Sequence, residues 1–119
     1  MAAVLEHPRL TVAGTHLSFV PGFNAVQLRR VRRRLEELPP PVVLLGDLNL
    51  TERIATRVTR WTPLVSARTF PAPRPRWQLD HALAASLPPG VRSSGRTMEL
   101  PISDHRAIVI DLEWRSADR

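Results

Sequence analysis

The chain has 119 residues, of which 43% are apolar, which is enough for one domain with a modest core. It contains no cysteine, so disulfide bonds and thiolate metal sites are excluded. All 17 basic residues are arginine, and the net charge of +6 favours phosphate-bearing partners over acidic proteins or neutral sugars. No apolar run is long enough for a transmembrane segment, and the first residues do not form a signal peptide. We therefore expect a cytoplasmic protein.

The first predicted element is a strand over residues 10–17, where apolar and polar residues roughly alternate up to His16. After a Pro-Gly turn, Asn24 is the predicted N-cap of a helix over residues 25–38, because apolar residues recur three or four positions apart. Arginines surround the rest of this helix. That distribution favours a solvated surface over a nucleic-acid-binding stripe, since no aromatic residue alternates with the arginines.

The second predicted strand is the uninterrupted apolar run over residues 42–45. Such a run is typical of a central strand that is buried on both faces. Gly46 allows a sharp turn, which places Asp47 and Asn49 at the carboxyl end of this strand. Residues 50–60 are predicted to be a loop or one short helical turn.

The next segment contains a short predicted strand within residues 62–70 and a stiff, proline-rich surface loop over residues 71–76. A further strand is predicted over residues 77–84. Asp80 lies in this apolar strand and must therefore find a partner for its carboxylate. Strand alternation turns His81 to the opposite face, so we interpret His81 as structural.

The last predicted elements are a weak strand over residues 91–99 and a strong strand over residues 105–114. We expect one domain over residues 1–115 and a frayed tail over residues 116–119. On one face of the strong strand, alternation places the apolar residues Ile108, Ile110 and Leu112.

Four short polar segments lie at the ends of these predicted strands. Carboxylate, amide and imidazole groups on one rim are the composition that a metal-assisted phosphate hydrolase needs. Taken alone, Asp47 and Asn49 could be turn residues, and Asp104 after Ser103 could be a cap. The four segments are Thr15-His16, Gly46-Asp47-Leu48-Asn49, Gln78-Leu79-Asp80-His81 and Ser103-Asp104-His105.

In this order, the four segments resemble the motifs of the endonuclease/exonuclease/phosphatase family, which includes DNase I-like nucleases, abasic-site endonucleases, sphingomyelinases and inositol polyphosphate phosphatases. The family fold is a four-layered α/β sandwich of two packed sheets. The resemblance covers nearly the whole sequence but only the carboxyl-terminal half of the family domain. It implies half of that DNase I-like α/β sandwich, with a mixed β-sheet and a covering helix.

The resemblance also implies catalytic roles. Asp47 would orient or deprotonate the attacking water, with help from Asn49, whose amide can also hold a phosphate oxygen. His105 would contact the phosphate, and Asp80 would fix the tautomer of the His105 ring. His16 would be a second phosphate contact or a proton donor.

The cofactor implied by the resemblance is Mg²⁺ or Mn²⁺, with Asp104 as its direct ligand. Arg74 and Arg76 are candidate contacts to the substrate phosphate, although their loop could equally be a rigid connector. In the family, the first half of the domain supplies an Asn and a metal-binding Glu. Glu6 does not match that Glu, so we expect the site of this chain to be incomplete.

The resemblance predicts a metal-dependent phosphoesterase, whose substrate could be a nucleic acid, a phospholipid or a phosphorylated small molecule. One alternative is a non-catalytic remnant that acts as a basic binding or dimerising module. Another alternative is that the natural start of the protein lies further upstream. A half-sandwich exposes an apolar sheet face, so we expect self-association or a partner that covers this face.

Overall fold

The structure is a computed structural model that describes residues 1–114. The tail predicted over residues 116–119 lies outside the described residues. Within residues 1–114 the chain forms strands and helices in the order β1 (Ala2–Glu6), β2 (Arg9–His16), α1 (Phe23–Leu35), β3 (Val42–Asp47), α2 (Glu52–Thr59), β4 (Thr62–Pro63), β5 (Asp80–Ala85), β6 (Arg92–Met98) and β7 (Ala107–Glu113).

Five of the strands form one mixed sheet in the order β1-β2-β3-β5-β4. Strands β2 and β3 are parallel, and α1 is the crossover that connects them, as parallel neighbours require. The other pairs in this sheet are antiparallel. Strands β6 and β7 form a separate antiparallel hairpin. The mixed sheet predicted from the sequence is confirmed.

Strand β3 is the centre of the sheet because its apolar residues can be buried on both faces. Of the residues 42–45 predicted to be buried, Val42, Val43 and Leu44 are buried and Leu45 is half-buried. One face of the sheet packs against the helices, with Leu44 and Leu28 of α1 in the same cluster. The opposite face packs against the hairpin. The buried residues on that second face are Leu10, Val43, Leu64, Val65, Ala82 and Ala84.

The hairpin covers only part of the second sheet face. Ile108, Ile110 and Leu112 of β7 pack on this face, in agreement with the predicted alternation. Grooves of about 360 Å³ and about 490 Å³ lie beside these contacts. Strand β7 folds back over the sheet, so the apolar face that we expected to be exposed is covered in part. Self-association or a covering partner stays a prediction.

Both helices differ from the sequence-based expectation. Helix α1 begins after Gly22, which has a φ of 84°, and ends at Leu35 instead of residue 38. Asn24 is not the N-cap, because it lies inside the first turn, where its buried side chain contacts another segment. Residues 52–59 form α2, an eight-residue helix, where we expected a loop or one short helical turn, because Ala55 and Thr59 on one side of this segment become buried. Neither described helix is long and apolar enough to cross a membrane.

Two predicted strands also differ in extent, and one strand was not predicted. Within residues 62–70 only Thr62–Pro63 is a strand. Strand β5 begins at Asp80 instead of residue 77, because Trp77 pairs with Phe70 in an isolated antiparallel bridge. Strand β1 was not predicted. All five of its residues are exposed at the sheet edge, so it lacks the alternation that reveals a half-buried strand.

Candidate active site

Three candidate residues form one row across the sheet. In the strand register, His16 of β2 pairs with Asp47 of β3, and Asp47 pairs with Asp80 of β5. Directly paired residues point to the same face, so all three side chains share the face that the hairpin covers. The row arises because β2 and β3 end, and the antiparallel β5 begins, at the same edge of the sheet.

His105 reaches this row because β7 packs over the same sheet face. The segment just before β7 is held by two backbone hydrogen bonds. The Ala72 N–H donates to the Asp104 carbonyl oxygen at 2.7 Å, and the Arg106 N–H donates to the Thr69 carbonyl oxygen at 2.7 Å. The Phe70 ring also packs against the His105 imidazole, with centroids 4.7 Å apart. These contacts fix where the imidazole enters the site.

Thr69 connects the two segments that carry Asp80 and His105, and sequence reasoning did not identify it. Its fully buried hydroxyl accepts hydrogen bonds from the N–H groups of Leu79 and Asp80, at 3.1 and 3.2 Å. Its carbonyl holds the residue that follows His105. A single threonine beside a phenylalanine carries no recognisable pattern, so no signal in the sequence could have revealed this role.

His105 lies between two carboxylates. Its Nδ1–H donates to Oδ2 of Asp80 at 2.7 Å, and its Nε2 lies 3.6 Å from Oδ2 of Asp47. His16 approaches from the solvent side, with Nε2 3.4 Å from the same Asp47 oxygen. The His105 side chain is 24% exposed and that of His16 is 75% exposed. His105 is therefore the oriented imidazole and His16 the accessible one.

The charges around His105 shift its protonation. Desolvation by partial burial lowers the pKa of His105, whereas the hydrogen bond to Asp80 raises this pKa. The negative charges of Asp80, Asp47 and Asp104 act in the same direction as the hydrogen bond. The result is a pKa of His105 above the ordinary value of 6.5. The ring therefore keeps its proton more readily than a free histidine does.

The Asp80→Asn variant tests this arrangement without any turnover. Asparagine removes the charge that holds the Nδ1–H, while the desolvation of the ring remains, so we expect the pKa of His105 to fall. Titration of the histidine ring protons by NMR measures this shift, with the exposed His7 as internal control. An unchanged His105 titration would show that Asp80 does not hold the ring in solution.

Asp47 and Asn49 are held by the turn that ends β3. Oδ1 of Asp47 accepts the Asn49 N–H at 3.0 Å, which leaves Oδ2 to face the two histidines. Asn49 has a φ of 51°, and its Nδ2 donates to the Leu17 carbonyl at 2.8 Å. The buried Asn24 of α1 donates to the Asn49 carbonyl at 3.0 Å. Asn49 therefore ties the loop after β2 to the turn after β3.

His81 lies on the helix-facing side of the sheet, as its alternation with Asp80 predicts. It is 1% exposed, and its Nε2 lies 2.6 Å from the Leu50 carbonyl oxygen. Desolvation lowers the pKa of His81 despite the hydrogen bond to this carbonyl. The ring is therefore a neutral donor that holds the start of the segment leading to α2.

The buried His81 predicts an acid-sensitive stability. Below the ordinary histidine pKa of 6.5, the unfolded chain binds a proton that the folded chain excludes. As the pH falls below 6.5, the free energy of unfolding should then decrease by at most about 1.4 kcal/mol for each pH unit. The decrease should stop when the pH reaches the pKa of His81 in the folded protein. Urea unfolding at several pH values measures the slope. In a His81→Gln variant, which keeps a donor but does not titrate, the contribution of His81 to this slope should disappear. Equal slopes in both proteins would refute the assignment.

The remaining candidates lie further out. The Asp104 side chain is exposed beside His105, and only its backbone carbonyl contacts the neighbouring loop. Arg74 and Arg76 are exposed in the loop that joins Phe70 to Trp77. The structure thus brings His16, Asp47, Asn49, Asp80 and His105 together, while the side chains of Asp104 and the two arginines remain solvent-facing.

The chemistry of the central groups fits a divalent cation. One ligand atom from each of Asp47, Asp80 and His105 can be chosen so that all three lie within 4.8 Å of one another. The two carboxylates offer the oxygen ligands that Mg²⁺ and Mn²⁺ prefer. A cation here would also relieve the repulsion between the two carboxylates.

The groove beneath this rim offers space for a substrate. It has a volume of about 360 Å³ and runs between the sheet and the start of β7. Asp80 and Arg106 contribute its polar groups, and Leu45 and Ile108 contribute apolar wall. The Nε of Arg106 donates to the Ala72 carbonyl at 2.8 Å, so this guanidinium is held in place. The site therefore has a polar rim above a partly apolar groove.

Comparison with known proteins gives one family and several solved folds. The sequence matches the model of the Endonuclease/Exonuclease/phosphatase family over residues 5–105. No curated protein matches it significantly. The solved structure of sphingomyelinase C from Streptomyces griseocarneus is 19% identical, with a TM-score of 0.61 over 96% of this chain and 56% of that chain.

Two further solved structures are similar. A humanised TDP2 of D. rerio is 17% identical, with a TM-score of 0.68 over 93% of this chain and 57% of that chain. The mannosyl-6-phosphatase Bt3783 of Bacteroides thetaiotaomicron is 11% identical, with a TM-score of 0.59 over 89% of this chain and 52% of that chain. This chain thus spans little more than half the length of these structures.

These likenesses establish the fold, in which a mixed sheet with two helices matches about half of a DNase I-like α/β sandwich. The match to the family model covers most of the sequence, including all four polar segments. The chain belongs to the endonuclease/exonuclease/phosphatase family.

Proposed function

We propose that this chain acts as a divalent-metal-dependent phosphoesterase, with Mg²⁺ or Mn²⁺ as the cofactor. The observation that carries the proposal is the position of His105, with Asp80 on its Nδ1 side and Asp47 on its Nε2 side. An imidazole oriented by one carboxylate and facing another can move a proton at a phosphate ester. Membership of the family and the fold of its phosphoesterase-like neighbours support this function.

The residues divide the chemistry between them. Asp80 keeps the proton on Nδ1 of His105, so Nε2 is the atom that faces a substrate oxygen. Oδ2 of Asp47 is free of the turn hydrogen bond and can orient or deprotonate a water. His16, exposed beside Asp47, would contact a second phosphate oxygen or donate a proton to the leaving oxygen.

The cation would be held by Asp104 together with carboxylate oxygens of the central group. When bound, it supplies positive charge that stabilises the charge developing on the phosphoryl oxygens. Asn49 has one amide N–H beyond the bond to Leu17 and can hold a phosphate oxygen. Arg74 and Arg76 are proposed as outer phosphate contacts, since both are exposed and charged.

The substrate class is the finer part of the proposal. Sphingomyelinase C is named for a lipid substrate, and Bt3783 is named as a phosphatase. We therefore propose both phosphodiesters and phosphomonoesters as candidate substrates of this chain. Hydrolysis of bis-p-nitrophenyl phosphate, p-nitrophenyl phosphate, plasmid DNA and sphingomyelin, each with Mg²⁺ or Mn²⁺, distinguishes the classes. We expect hydrolysis of at least one of these substrates that depends on the added metal.

We also propose that a complementary segment or partner completes the site. The family supplies a metal-binding Glu from its first half, and Glu6 does not occupy such a place, since it lies at the end of β1 away from His16. The partly open second sheet face offers a surface for a partner or a second copy. If no metal supports hydrolysis of any substrate, the alternative of a non-catalytic basic binding or dimerising module is favoured.

A further inference from the structure

A group of apolar side chains is exposed around the loop that follows His16. The group comprises Phe19, Val20, Phe23, Val26 and Ile54, which are 81%, 47%, 50%, 43% and 43% exposed. They belong to the loop between β2 and α1 and to the first turns of the two helices. We call this group the apolar patch. Clustered apolar exposure of this kind marks an interaction surface.

The apolar patch borders the active site. A hollow of about 340 Å³ is lined by Phe19 and Ile54 on the patch side and by Asn49 on the site side. Asn24 forms its floor, and the Oδ1 of this buried side chain has no hydrogen-bond partner. The loop that carries Phe19 begins one residue after His16 itself. A surface bound to the patch would therefore lie beside the phosphate-handling rim.

Arginines follow the apolar residues of the patch along α1. The segment from Leu17 to Leu35 contains five arginines and no acidic residue. On α1, the exposed positions Phe23 and Val26 are followed one turn later by the exposed Arg30.

Helix α2 also places an arginine beside the apolar patch. Arg53 is exposed beside Ile54 at the start of α2. The carboxylate of this turn, Glu52, accepts a hydrogen bond from the Ser66 hydroxyl at 2.7 Å. Apolar side chains framed by arginines are the combination that binds an anionic lipid surface.

We propose that the apolar patch docks on the surface of an anionic phospholipid bilayer. The apolar side chains would enter the interface, while the surrounding arginines would contact the headgroup phosphates. This binding goes beyond the proposed hydrolysis and does not depend on it. It would place the catalytic rim at the level of the headgroups.

Charge and shape favour a bilayer over two other partners. In a symmetric dimer through this patch, the arginines of α1 would face those of a second copy and repel them. Phe19 and Phe23 have rings that could stack on nucleobases, but none of the five patch side chains carries a hydrogen-bond group to read base edges. The other three members, Val20, Val26 and Ile54, add aliphatic surface that a nucleic acid does not need. A lipid interface requires neither flat rings nor hydrogen-bond groups.

Co-sedimentation with vesicles tests the proposal on the full chain. We expect binding to mixed phosphatidylcholine–phosphatidylserine vesicles that weakens with added salt, and much weaker binding to pure phosphatidylcholine vesicles. The double variant Phe19→Ser/Phe23→Ser should lower the partition coefficient about tenfold or more. The matched control is Leu5→Ser, because Leu5 is 48% exposed on β1, at the far end of the sheet from His16.

Arginine variants test the electrostatic contribution to vesicle binding. The change Arg30→Gln or Arg53→Gln should each lower binding to the mixed vesicles about fivefold. Arg92→Gln, which removes an exposed charge on β6, should leave binding unchanged.

Three outcomes would overturn the proposal. The first is absence of binding to the mixed vesicles at low salt. The second is equal binding by the double phenylalanine variant and the wild type, with displacement by single-stranded DNA, which would indicate a nucleic-acid surface. The third is a dimer in analytical ultracentrifugation that the double variant disperses, without vesicle binding, which would indicate a second copy on the patch.

Discussion

The His105→Ala variant is expected to lose about a thousandfold in metal-dependent phosphodiester hydrolysis. Its imidazole contacts both carboxylates of the row, through Nδ1 to Asp80 and across 3.6 Å from Nε2 to Asp47. Alanine removes the proton carrier and leaves Asp80 without its partner. Because the loss falls on the transition state, the rate constant kcat should decrease much more than KM changes.

The control is His7→Ala, which removes an exposed histidine at the opposite end of the sheet. Hydrolysis by this variant should equal that of the wild type. Asp47→Asn should resemble His105→Ala, because it removes the charge that faces both histidines while it keeps the turn. A His105→Ala enzyme within a few-fold of wild type, with an unchanged circular dichroism spectrum, would remove His105 from the mechanism.

The Gly46→Ala variant is expected to lower the free energy of unfolding by more than about 3 kcal/mol. Gly46 has a φ of 150°, and a Cβ at this position would lie 1.8 Å from the Thr15 carbonyl oxygen. That carbonyl belongs to the backbone of the neighbouring strand, so it cannot move without disturbing the row that contains His16 and Asp47. Thermal unfolding should show a melting temperature lower by roughly 10 °C or more.

Gly14→Ala is the matched control, since Gly14 lies on the adjacent strand β2. Its added Cβ would meet no atom closer than the Leu45 carbonyl oxygen at 3.9 Å, which is an ordinary contact. Its stability should stay within about 1 kcal/mol of the wild type. Equal melting temperatures for the two alanine variants would mean that the close approach of β2 and β3 at Gly46 is absent in solution.

The candidate site was predictable because its residues end apolar strands. The buried run over residues 42–45 fixes β3 at the centre of the sheet, and any polar residue directly after it must emerge at the edge. His16 likewise ends β2, whereas Asp80 begins the antiparallel β5 at the same edge of the sheet. Alternation then separates Asp80 from His81, and the structure places these two side chains on opposite faces. The sequence pattern was sufficient to predict these positions, because the position of a residue along a strand determines which edge and which face of the sheet it lies on.

The parts that the sequence did not reveal depend on contacts between distant segments. The hydroxyl of Thr69 is important only because the loop after it returns to hold Asp80 and the residue after His105. Helix α2 has only eight residues, so its stability depends on packing, and its buried Ala55 lies in one core cluster with residues of α1 and of the sheet. Asn24 looked like a cap, and its buried side chain instead reaches the turn after β3.

The measurement that tests the central claim most directly is hydrolysis of bis-p-nitrophenyl phosphate after the metal is removed with a chelator and Mn²⁺ or Mg²⁺ is added back. The proposed phosphoesterase site predicts that activity disappears with chelation, returns with a saturable dependence on the added ion, and is absent in Asp47→Asn at every ion concentration. A rate that survives chelation, or that is equal in the wild type and in Asp47→Asn, would contradict the assignment of this rim as a metal-dependent phosphoesterase site.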